Sequence, residues 1–194
     1  ETAMRFLHPP ELPTLREALR PHAEGLQRAL AASASVAVPE PMAAFHGHFA
    51  EAAARTARAL DLFVEPSGGS DAIVRVLSSM RATARALESL YVLHRFPPVS
   101  RFFVEAAFHD CLDELDPDPR EGIRTGLHHG GAPKGTPQPG DARDARGGFC
   151  LYVPERWDGR ESLPLVVALH GGSGSGRDFV WTWLREARGR RFLL

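Results

Sequence analysis

Lysine is almost missing from this 194-residue sequence: Lys134 is the only one, among many arginines. We read that imbalance as coding bias with no functional content. An excess of charge of one sign is also lacking. The formal net charge is −1, and Asp and Glu balance Arg along most of the chain, so the basic footprint that accompanies nucleic-acid binding is not there. No apolar run approaches the roughly 20 residues that a helix needs to cross a bilayer. The opening residues Glu1 to Leu7 do not form a basic stretch followed by an apolar one, so no membrane span and no signal peptide is expected. The sequence opens on Glu1 rather than Met, so this expectation covers no leader ahead of it. Cysteine is scarce as well. Cys111 and Cys150 fall in what we read as different domains and make no disulfide framework, so a reducing cytoplasm is the expected compartment.

What is present is ordinary globular material, 43% hydrophobic and 24% charged, with enough length for one large domain or two small ones. From Leu12 to Leu115 the strong helix formers Ala, Leu, Arg and Glu dominate, and proline and glycine punctuate them. Four helices are expected. The first carries Leu12, Leu15, Leu19, Leu26 and Leu30, with a kink or break near Arg20 where Pro21 intervenes. In the second, Met42, Phe45, Phe49, Ala52, Thr56, Ala59 and Phe63 fall on one face. In the third, capped at Ser70 or Asp71, so do Ile73, Leu77, Met80, Ala84, Leu87, Tyr91 and His94. The fourth follows Pro97 and Pro98, with Val104, Phe108, Cys111 and Leu115 inward. Short connections favour an antiparallel bundle over residues 1–115.

Residues 116–147 are rich in proline and glycine and read as a linker. Strand chemistry follows over 148–194. Gly148 to Val153 is a candidate strand ended by Pro154, and Leu163 to Leu169 is a continuous apolar run of the kind buried on both faces of an α/β sheet. After it come a glycine loop, a helix through Phe179, Trp181, Trp183 and Leu184, and a new apolar start at Phe192.

The informative string runs from Pro164 to Gly176, where an apolar strand delivers His170-Gly171-Gly172 at its C-terminal end. Ligand sites of α/β sheets gather at such ends, and glycines there let backbone N–H groups converge on one point. Donors of that kind stabilise a tetrahedral oxyanion during acyl transfer. The stretch Gly148–Leu194 resembles the opening of α/β-hydrolases of the phospholipase/carboxylesterase and polyhydroxyalkanoate-depolymerase-like esterase groups. In those families a strand ending in Val-Pro, a short charged excursion and a strand ending in His-Gly-Gly or His-Gly-x-Gly follow one another. The resemblance implies that Gly172 supplies one oxyanion N–H, that Gly171 shapes the loop, and that His170 braces it. It implies a serine carboxylic-ester hydrolase working through an acyl-enzyme on a small-molecule ester, with no cofactor and no metal.

The nucleophile elbow G-x-S-x-G and the acid and base follow such a loop in that fold, and none is in this sequence, so the chain alone is expected to be inactive. Ser173 and Ser175 lack the flanking glycines of an elbow. A phosphate-binding loop fails because Arg177 and Asp178 stand where Lys and Ser or Thr are required, and a dinucleotide fingerprint fails at Arg177. A plain flexible turn is the bland alternative. The histidines His46, His48, His128 and His129 do not have metal-site spacing, and in His109-Asp110-Cys111 adjacent side chains on a helix point apart. The second class of function is a non-catalytic helical interaction or oligomerisation module whose sheet is completed by the C-terminal remainder of a hydrolase domain, in the same protein or a separate fragment.

Overall fold

The computed structural model describes residues 8–65, 70–131, 148–171 and 174–194. It divides into two compact units, Glu1–Leu93 and His94–Leu194. Among the described residues no helix is long and apolar enough to cross a membrane.

The first unit is helical. A short 3-10 turn, Pro9–Glu11, leads into α1 (Leu12–Ser33). A second turn, Glu40–Met42, leads into α2 (Ala43–Val64), and α3 (Ser70–Tyr91) follows. The break expected near Arg20 does not occur, and α1 runs on through Pro21. Proline there forfeits one backbone bond, and the Ala, Leu, Arg and Glu on both sides carry the helix across it. Arg16 Nε on α1 donates to the Phe63 carbonyl of α2 at 2.9 Å.

Helices α2 and α3 run antiparallel and meet over small residues. Ala52, Ala57 and Ala59 of α2 are buried, and so are Val76, Ser79, Ala84 and Ala86 of α3. Ser79, fully buried, donates from its hydroxyl to the Ala59 carbonyl at 2.7 Å. Small side chains let the two backbones approach that closely. The faces expected from spacing are therefore only partly the buried ones. Ala84, Leu87 and Tyr91 are covered, whereas Ile73 is 66% exposed and Leu77 and Met80 remain open; on α2, Met42 and Phe49 are exposed too. Packing turns α3 toward Val76, Ser79 and Ala86, and the larger side chains at its N-terminal half face away from α2.

The second unit mixes helices with strands. The expected fourth helix is broken into α4 (Pro97–Phe102), a 3-10 turn (Ala106–Cys111) and α5 (Leu112–Leu115). The interruption falls at residues 103–105, where Glu105 is extended, and Phe103 and Val104 are both buried there. Two strands, β1 (Gly126–Gly130) and β2 (Phe149–Val153), pair antiparallel with Gly126 opposite Val153 and Gly130 opposite Phe149. β1 lies inside the stretch read as linker, because a Gly-Leu-His-His-Gly segment has almost no strand propensity of its own and takes its order from β2.

Two further segments extend this pair. Tyr152 and Leu194 exchange reciprocal backbone bonds at 2.7 and 3.1 Å, and Leu193 bonds to the Pro164 carbonyl and the Val166 N–H at 2.8 Å each, which makes a parallel bridge to Leu165. The order in space is β1, β2, 192–194, 164–166. The run 163–169 is not covered on both faces as expected: Leu165, Val167 and Leu169 are all well exposed. In the chain, α6 (Gly176–Phe179), a 3-10 turn (Val180–Thr182) and α7 (Leu184–Arg190) connect 164–166 to 192–194 and bury Val180, Trp181, Leu184 and Ala187. The Phe103 and Trp181 rings meet at 6.0 Å between centroids.

Two glycines distinguish tight packing from loose. A Cβ on Gly189 would stand 2.5 Å from the half-buried Phe108 ring, and one on Gly130 equally close to Phe149, whose ring is mostly exposed. Gly189→Ala should cost about 1–3 kcal/mol in urea unfolding because Phe108 has packed neighbours to displace. Gly130→Ala should cost clearly less, since the Phe149 ring can swing into solvent.

Candidate functional site

The glycine loop is described only in part. His170 and Gly171 are exposed, and Gly174 donates to the Gly171 carbonyl at 3.1 Å. A Cβ on Gly174 would lie 3.2 Å from that carbonyl and 3.3 Å from His170 Nδ1, so glycine suits this crossing. Gly172, the expected oxyanion donor, and Ser173 lie outside the described residues. Ser175 is engaged in capping α6: its hydroxyl accepts from the Asp178 N–H at 3.2 Å and donates to Asp178 Oδ2 at 2.9 Å. That reciprocal pair anchors the C-terminal end of the loop. Beside the loop is an apolar cleft of about 360 Å³ whose lining includes Cys150, Leu165, Val167, Leu169, His170 and Phe179.

A second cluster, buried in the same unit, was not legible in the sequence. Arg188 on α7 is 1% exposed and places its guanidinium between two carboxylates. It donates to both oxygens of Asp116, and its Nε stands 3.6 Å from Glu155 Oε2. The same guanidinium donates to the Ser100 carbonyl and hydroxyl at 3.2 Å. Ser100 in turn donates to Asp116 at 2.8 Å, and the Tyr152 phenol donates to Glu155 at 2.6 Å. His94 Nε2 lies 3.8 Å from both Asp116 and Glu155. The carboxylates are 8% and 6% exposed, so the charges face one another with little water between them.

This cluster holds a serine, a histidine and an aspartate, but in the wrong order for acyl transfer. The Ser100 hydroxyl points its proton at Asp116, not at His94, and Ser100 is almost fully buried. Ligand atoms of His94, Asp116 and Glu155 also lie within 4.8 Å of one another, the reach of one cation. The donor set is already matched by the Arg188 guanidinium, whose Nη2 donates to both Asp116 oxygens and would have to be displaced. The arrangement is that of an ion-pair network joining the chain after α5, the turn after β2, and α7.

The remaining expectations fall where simple geometry puts them. His46 and His48 sit on α2, and His128 and His129 alternate along β1 rather than in a linker. His109 contacts the Arg101 carbonyl at 3.1 Å, whereas Cys111 turns to the Phe108 carbonyl, so the two do not pair. Cys111 and Cys150 are not joined by a disulfide, and both are half-buried and in the second unit.

Comparison with protein-family models, with curated proteins and with solved structures finds no match to this chain.

Two predictions test these electrostatics. Arg188→Met leaves Asp116 and Glu155 facing each other unneutralised, and should cost about 3–5 kcal/mol at neutral pH. Asp116→Asn in that background should recover part of the loss, read as coupling in a double-mutant cycle. At the surface, Arg190 forks onto Glu105 at 2.9 and 3.0 Å, and this hydrogen bond, with the Arg190 charge, lowers the Glu105 carboxyl below its usual range. A lowered carboxylate contributes stability above its unfolded value and loses it as pH falls through the folded one. Glu105→Gln should therefore melt below the parent protein at pH 7, with the gap closing below about pH 4.

Proposed function

We propose that this chain is the front part of a serine carboxylic-ester hydrolase of the α/β-hydrolase type, in which the loop His170-Gly171-Gly172 holds the oxyanion of an acyl-enzyme reaction. What carries the reading is the strand order. Segments 164–166 and 192–194 lie parallel and adjacent, joined through α6 and α7, and the antiparallel pair β1–β2 flanks them. A parallel pair joined by a helical crossover is the α/β unit, and sheets of that class often carry an antiparallel strand at one edge. His170 stands just past the C-terminal end of the 164–169 run, where such sheets place their chemistry.

In this reading Gly172 offers its N–H to the developing negative charge, Gly171 allows the backbone to turn, and His170 braces the loop. The nucleophile, acid and base come from outside this chain, and the ester substrate meets them there. Ser175 takes no catalytic part, since its hydroxyl is committed to the cap of α6. Gly172→Pro, which deletes the proposed donor, should lower kcat for a short-chain nitrophenyl ester about 100-fold in a polypeptide that also carries the nucleophile. Unchanged turnover would overturn the assignment.

A second reading draws on one observation in the first unit. Ile73, Val74, Leu77 and Met80 form an exposed apolar stripe along the N-terminal half of α3. Stripes of this kind support a helical interaction or oligomerisation role. Leu77→Lys with Met80→Lys should then abolish any self-association seen in sedimentation while preserving helicity.

A further inference from the structure

We draw no further inference here: the strongest candidate, the exposed apolar stripe of Ile73, Val74, Leu77 and Met80 along the N-terminal half of α3, carries none because nothing in the structure shows what covers it.

Discussion

Arg188 is a cation taken almost wholly out of water, and the second unit is arranged around the cost of keeping it there. An unpaired guanidinium at 1% exposure would be untenable; Asp116, Glu155 and the two oxygens of Ser100 make it tenable. Those partners come from three stretches of chain with no regular pairing among them: the middle of α4, the residue after α5, and the turn beyond β2. The network therefore does for these stretches what backbone ladders do for strands. It is directional, because a planar guanidinium donates to a carboxylate in few orientations, whereas the buried apolar side chains of the same unit, Phe103, Leu115 and Trp181 among them, supply cohesion without that selectivity.

In the first unit the selecting factor is size. Two apolar or small-residue seams run along α3, one through Ile73, Leu77, Met80, Ala84, Leu87 and Tyr91, the other through Val76, Ser79 and Ala86. Periodicity identifies the helix and the first of these seams, the one that carries the larger side chains. Close approach of α2 favours the smaller ones, with the Ser79 hydroxyl reaching the Ala59 carbonyl to complete the contact. Helix positions were thus readable from sequence while the buried face was readable only in its C-terminal half.

The same distinction holds in the second unit. β2 was legible because Phe-Cys-Leu-Tyr-Val stands between a glycine and a proline. β1 was not, since Leu127 is its only aliphatic residue and its conformation is borrowed from its neighbour. The His-Gly-Gly loop was legible as a local motif. The His94, Ser100, Asp116, Glu155 and Arg188 cluster has no local spacing at all, and its members are ordinary surface-type residues until the chain brings them together. A Tyr-x-x-Glu pair straddling the proline that ends β2 is the one short-range trace it leaves.

Arg191 is the only non-glycine residue with positive φ among those described, at 60°, and it is the single residue between the end of α7 and Phe192. A turn that short has no slack. The helix carrying the buried guanidinium and the segment wedged between β2 and Leu165 must move as one rigid lever, so loosening the ion-pair network would withdraw Leu193 and Leu194 from the sheet. The charge cluster and the 192–194 segment are, mechanically, two ends of the same part.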